Sequence, residues 1–135
     1  MIIDASALIA IVRNDPEREA MVAASLGARR RRISAATWLE SAMVVDGRGD
    51  PVVSRRLDDI VRTLGIEIVP VTPAHAVIAR RAFADFGKGR HPAGLNFGDC
   101  FSYALASAEG EPLLCKGNDF RQTDIDVVEL SDGGH

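Results

Sequence analysis

The chain has 135 residues, 47% hydrophobic and 26% charged, a composition that excludes overall disorder and two ordinary domains and leaves one domain able to bury a core without staples. A formal net charge of -3 excludes bulk electrostatic attraction to nucleic acid, so any such binding rests on local basic patches and on cations that neutralise acids. The apolar start is broken too soon, at Asp4, for a signal peptide, and no apolar run approaches membrane-spanning length, so the chain reads as soluble and cytoplasmic with no membrane partner. Cys100 and Cys115 lie in apolar sequence and read as small buried hydrophobes rather than a disulfide.

In chain order, the first residues predict a strand ending at the acid Asp4, and Ala5 to Val12 a helix that Ser6 can cap while orienting that acid. A carboxylate just past a strand lies where open α/β sheets gather functional groups. Asn14-Asp15-Pro16 breaks this helix and opens a second, through Met21 to Leu26, with Gly27 as its stop. Leu8, Ile11 and Met21 read as core, with contact to a partner protein or to a second copy as the alternative. Arg29 to Arg32 reads as a basic loop, a solvated turn ahead of a nucleic-acid patch, and Ile33-Ser34 as a short strand. Ala36 to Val45 is a helix capped by Thr37 or Ser34, with Ala36, Leu39 and Met43 on one face and Glu40 beside it near the start. An acid there is also what the helix dipole alone favours in a first turn.

Asp50-Pro51 opens a helix whose Val53, Leu57, Ile60, Val61 and Leu64 form a core face, ended by Gly65. Ile66 to Val71 reads as a strand buried on both faces of a parallel sheet. Thr72-Pro73 caps a fifth helix with the stripe Ala76, Val77, Ala79, Ala82 and Phe83. Gly87 to Gly94 is a flexible loop carrying Lys88, Arg90 and His91, the better candidate for a substrate-facing basic patch. Asp99 opens a nearly all-apolar, hence buried, helix from Cys100 to Ala108, where free N–H groups favour a carboxylate. Leu113 to Cys115 is a short strand followed by a polar loop with Asp119. Val127 to Leu130 predicts a last strand before a loose tail, 131–135.

Short β-rich runs between helices predict an α/β domain, a parallel sheet with helices on both faces. Asp4 and Asp119 then lie past strand ends, and Glu40 and Asp99 can join them. Carboxylates so grouped repel, and their pKa values rise unless a cation is bound. Hard oxygen donors suit Mg²⁺ or Mn²⁺, and no His or Cys cluster has zinc spacing.

The succession MIIDASAL, SAATWLE, LNFGDCFSYALA and PLLCKGNDFRQTDI resembles the PIN-domain ribonucleases, specifically the VapC toxins of type II toxin-antitoxin systems, over nearly the whole chain. The resemblance implies a PIN-like three-layer αβα sandwich with a mostly parallel sheet over residues 1–130. It implies an Mg²⁺- or Mn²⁺-dependent endoribonuclease acting on an RNA substrate, a cognate VapB-type antitoxin that neutralises it, and a homodimer. Asp4, Glu40, Asp99 and Asp119 match the family's catalytic, metal-binding acids. Ser6, Asn118 and Asp124 match supporting positions. Arg13, Lys88, Arg90 and Lys116 are candidate phosphate contacts, and Trp38 and Phe97 are core aromatics or base-stacking ones. A phosphoacceptor receiver domain is a rival reading, with Lys116 in its favour, but no aspartate ends the central strand. A non-catalytic RNA- or protein-binding module is the other, separated by metal dependence.

Overall fold

The computed structural model describes residues 1–131. Four parallel strands, β1 (Ile2–Ile3), β2 (Arg31–Ser34), β3 (Ile66–Val69) and β4 (Leu113–Leu114), lie in the order β3-β2-β1-β4. Ile2 stands opposite both Arg32 and Leu113, and Ile3 opposite Leu114. The helices are α1 (Ala5–Val12), α2 (Arg18–Leu26), α3 (Ala35–Asp46), α4 (Pro51–Thr63), α5 (Pro73–Phe86) and α6 (Phe97–Glu109).

This order follows from the handedness of crossovers. The chain steps outward from β1 to β2 to β3, then returns across the sheet to β4. Right-handed connections place crossovers made in opposite directions on opposite faces. Accordingly α1 to α4 pack in one core with Ile3 and Leu114, and α5 and α6 in another with Ile2 and Leu113. The two-residue period of a strand divides those four residues between the two layers. The expected αβα sandwich is present.

Several elements differ from expectation for reasons of topology. Ile66 to Val71 is apolar enough for a central strand, yet β3 ends the sheet, so Glu67 and Ile68 are exposed. Val127 makes one parallel bridge to Leu113, and among the described residues no regular strand follows. Leu39 and Met43 are 52% and 66% exposed, because α3 turns Thr37, Ser41, Ala42 and Val45 inward instead. On α5 the buried residues are His75 and Ala82, while Val77 and Phe83 are exposed. Asp4, not Ser6, caps α1. Ser34 holds the N-cap position of α3 without a side-chain bond, and Thr37 lies buried inside the helix. Leu8, Ile11 and Met21 are core, and both cysteines are free and buried. Of the expected tail, all but Ser131 lies outside the described residues.

The first half of the arginine run, Arg29 and Arg30, is exposed as a solvated turn would be, but the second half is not. Arg31 and Arg32 belong to β2. Arg31 donates to the carbonyls of Leu64, Ser25 and Ala28 at 2.5, 2.7 and 2.8 Å, tying α2 and α4 to the strand. Arg32, largely buried, pairs with Glu109 at 3.1 Å and with Glu111, which fastens the end of α6 to the sheet. Arg32→Ala strips that cation from a sheltered acid pair and is expected to lower stability by about 1–3 kcal/mol, read from the midpoint of urea unfolding.

Candidate active site

The strand order reverses between β1 and β4, and polar groups past the carboxyl ends of strands converge at such a switch point. Asp4 follows β1 directly. Its amide donates to the Leu114 carbonyl at 2.9 Å, so the parallel pairing of β1 with β4 fixes where its side chain starts. The residue is 4% exposed. Oδ2 accepts from the Ser6 amide at 3.0 Å and from Ser6 Oγ at 2.6 Å, and Oδ1 accepts from Ser102 Oγ at 2.5 Å. Ser6 Oγ in turn accepts from the Lys116 amide at 2.9 Å, which joins the loop after β4 to the start of α1.

Glu40 lies in the second turn of α3, beyond the first-turn positions where the dipole alone would account for it. Asp99 occupies the first turn of α6 and forms a reciprocal cap with Asn96. Its Oδ2 accepts from the Asn96 amide at 3.0 Å, and its amide donates to Asn96 Oδ1 at 2.9 Å. Between them stands Gly98, where a Cβ would be 2.6 Å from Glu40 Cδ. The close approach of Glu40 to α6 therefore depends on a residue without a side chain. Asp119 opens the short 3₁₀ turn Phe120–Gln122, exposed and without a capping bond from its side chain.

These acids sense one another. Burial raises the Glu40 carboxyl above its ordinary 4.5, and the charges of Asp4 and Asp99 raise it further. Burial also raises Asp99 above 3.8. The Asn96 amide opposes that rise, while Asp4 and Asp119 add to it. The Cys115 thiol, at the end of β4, is pushed up to about 12 by burial first and then by Asp4, with Asp119 and Asp99 contributing. All four expected acids thus share one electrostatic neighbourhood.

Acids with folded-state pKa values above their unfolded ones bind protons more tightly when folded. Their stabilising protonation is complete below the unfolded values and is lost as pH rises through the raised ones. The melting temperature in chelator is therefore expected to fall as pH rises from the ordinary carboxyl range upward, and less steeply in Glu40→Gln. Differential scanning fluorimetry across pH reads both slopes; a flat wild-type profile would contradict the grouping of the acids.

Among the described residues, no group of three His, Cys, Asp or Glu side chains is disposed to hold a metal ion as placed. The donor set nevertheless fits a hard cation. Mg²⁺ keeps several waters and takes one or two carboxylates plus substrate phosphates rather than a complete protein cage. Beyond burial, the part of the rise at Glu40 that comes from Asp4 and Asp99, and at Asp99 from Asp4 and Asp119, is repulsion that such a cation relieves.

The remaining candidates are dispersed. Lys116 Nζ is held by Asp15 at 3.0 Å and Glu17 at 3.5 Å, so its charge is already partnered. Tyr103 donates its hydroxyl to Asp124. Asn118 is exposed in the loop before Asp119. Lys88 and Arg90 are exposed on the loop after α5, where Arg90 lies over the Phe83 ring at 5.7 Å. Arg13 ends α1 and is partly exposed. Trp38 packs against the first core, whereas Phe97 is 79% exposed and stands edge-on to Phe101.

Sequence reasoning missed two residues. Ser102, three positions after Asp99, bonds Asp4 directly; Thr37, three positions before Glu40, places Oγ1 3.3 Å from Ser102 Oγ. Both are buried. A hydroxyl three residues from an acid shares its helix face, and that spacing was the available signal.

A family model for the PIN domain matches residues 1–126. Over 126 residues the chain is 52% identical to Ribonuclease VapC28 of Mycobacterium tuberculosis, an alignment spanning 93% of this chain and 95% of that protein. The chain belongs to the VapC ribonucleases of the PIN-domain family. Solved structures share the fold at lower identity. VapC20 of Mycobacterium tuberculosis, a sarcin-ricin-loop-cleaving toxin, superposes with a TM-score of 0.75 at 16% identity, covering 95% of this chain and 98% of that one. A toxin-antitoxin complex from Klebsiella pneumoniae contains a chain that superposes with a TM-score of 0.70 at 16% identity, covering 94% and 95%. PIN-domain VapC ribonucleases are generally dependent on a divalent metal.

Proposed function

We propose that this chain is a divalent-metal-dependent endoribonuclease, the toxin of a type II toxin-antitoxin pair, using Mg²⁺ or Mn²⁺ held by Asp4, Glu40, Asp99 and Asp119. The observation that carries the reading is the electrostatic grouping of these four acids at the strand-order reversal in a member of a ribonuclease family. Family membership supports the activity, and the fold likeness to a chain of a toxin-antitoxin complex is consistent with a protein antitoxin as partner. A homodimer in the cytoplasm fits the same reading.

Phosphodiester hydrolysis needs a water made nucleophilic and compensation for charge on the phosphoryl and leaving oxygens. A bound divalent cation supplies both, by lowering the pKa of a coordinated water and by stabilising developing charge. The protein's part is orientation. Asp4 is fixed by Ser6 and Ser102. Asp99 has one oxygen committed to the Asn96 amide, leaving the other for the cation. Glu40 is kept against α6 by the gap at Gly98. Asp119 is exposed, and the exposed Lys88 and Arg90 and the partly exposed Arg13 are candidate contacts for substrate phosphates.

The test is cleavage of total cellular RNA by purified protein, freed of any antitoxin, with Mg²⁺ or Mn²⁺, with EDTA, and with Asp4→Ala in parallel. Cutting that requires metal and disappears in the variant supports the nuclease. Folded protein that binds RNA equally well in EDTA and cuts under no divalent metal would leave a non-catalytic binding module.

A further inference from the structure

Thr37, Ser102 and Asp4 form a buried line of polar groups that links the three elements carrying Glu40, Asp99 and Asp4. Thr37 Oγ1 lies 3.3 Å from Ser102 Oγ, and Ser102 Oγ lies 2.5 Å from Asp4 Oδ1. Neither hydroxyl touches solvent to any extent: Ser102 is 0% exposed and Thr37 1%.

The protons in this line are fixed by elimination. An ionised Asp4 has only acceptors, so the Ser102 proton points to Oδ1. Ser102 Oγ is then left as an acceptor, and Thr37 must be the donor to it. On the other side, Ser6 Oγ accepts from the Lys116 amide and gives its proton to Oδ2. Asp4 therefore receives three donors: the Ser6 amide and hydroxyl at Oδ2, and the Ser102 hydroxyl at Oδ1. A carboxylate has about four lone-pair sites, two on each oxygen. Oδ2 is filled, and one site on Oδ1 remains.

We propose that Ser102, backed by Thr37, is a positioning residue that leaves Asp4 a single free acceptor site, on Oδ1, and aims it as a one-oxygen ligand for the divalent cation. This rests on the reading of Asp4 as a metal ligand given above. Groups that hold metal-binding side chains in place commonly change metal affinity by about 10- to 100-fold when removed. Ser102 also sets the spacing of the elements, because its hydroxyl joins α6 to the start of α1 and, through Thr37, to α3. The arrangement fixes the geometry of three acids with one pair of hydroxyls.

The experiment measures Mn²⁺ binding by calorimetry and by the loss of the free-ion electron paramagnetic resonance signal. The proteins are wild type, Ser102→Ala, Ser102→Thr, Thr37→Val, and the double variant Ser102→Ala with Thr37→Val. Each is also melted in EDTA to confirm folding. Expected results are Mn²⁺ affinity about 10- to 100-fold weaker for Ser102→Ala, a smaller loss for Thr37→Val, and a double variant no weaker than Ser102→Ala alone, since Thr37 acts through Ser102. Ser102→Thr retains the hydroxyl and restores affinity toward wild type. Thr37→Val keeps the shape of the side chain, so it tests the hydroxyl even if Ser102→Ala proves unstable. Wild-type affinity in both folded single variants overturns the proposal while leaving the nuclease intact. Wild-type protein that binds no Mn²⁺ and cuts no RNA overturns the nuclease reading itself.

Discussion

Asp99→Asn is expected to reduce metal-dependent RNA cleavage by about a thousandfold or more and at the same time to raise the melting temperature measured in EDTA. The two effects have one origin. Asp99 is a half-buried carboxylate whose charge is disfavoured first by burial and then by Asp4 and Asp119, and only partly offset by the Asn96 amide. Asparagine keeps an oxygen for that amide, so the reciprocal cap with Asn96 survives, but it removes the charge. Without metal the repulsion is relieved and the fold gains. With metal, the cation that would compensate charge on the phosphoryl group loses an anionic ligand, and a loss of about 4 kcal/mol in transition-state stabilisation corresponds to roughly a thousandfold in rate. Single-turnover cleavage and a melting curve in chelator, on the same preparation, measure both. A variant that cuts at the wild-type rate removes Asp99 from the chemistry; one that melts lower in EDTA shows Asp99 acting mainly as a helix cap.

The sequence made Asp4 visible because a strand, an acid and a helix follow one another within a few residues, and the carboxyl end of a strand is where such an acid becomes useful. Glu40 and Asp99 were legible through resemblance more than through pattern, since each also suits an ordinary helix-terminal acid. The structure separates those readings for Glu40, which lies in the second turn of α3, and leaves both in force for Asp99, which caps α6 with Asn96. Long-range placement was not legible. Ile66–Val71 has a central strand's composition and an edge strand's position, because strand order is decided by the direction of the crossovers and not by local apolarity. Leu39 and Met43 share a face of α3 with apolar spacing, yet Thr37, Ser41, Ala42 and Val45 face inward. Hydrophobic periodicity identifies the helix there but misassigns its buried side, because the inward face carries two hydroxyls, of Thr37 and Ser41, that are satisfied by Ser102 and by the Thr37 carbonyl. The bond from Ser102 to Asp4 spans 98 positions, and no local pattern encodes a contact of that separation.

Gly98→Ala should separate the position of Glu40 from its presence. A methyl group at this position would stand 2.6 Å from Glu40 Cδ and 2.7 Å from Oε1, well inside van der Waals contact. The backbone there is ordinary helix, and alanine is the better helix former by up to about 1 kcal/mol, so α6 itself has no reason to weaken. The obstacle is the end of a flexible side chain, which can swing aside without unfolding anything. What moves is the carboxyl group whose place beside Asp99 the gap maintains. A displacement of about 1 Å at a reacting centre can cost about a hundredfold in rate, so cleavage is expected to fall roughly a hundredfold while the melting temperature holds or rises. Repeating the substitution in a Glu40→Gln background gives the decisive comparison. If Gly98→Ala acts only by moving Glu40, it has little further effect once that charge is gone, and the two losses do not add. Additive losses would mean instead that the methyl group blocks the approach of RNA, and an unimpaired Gly98→Ala would place Glu40 outside the catalytic group.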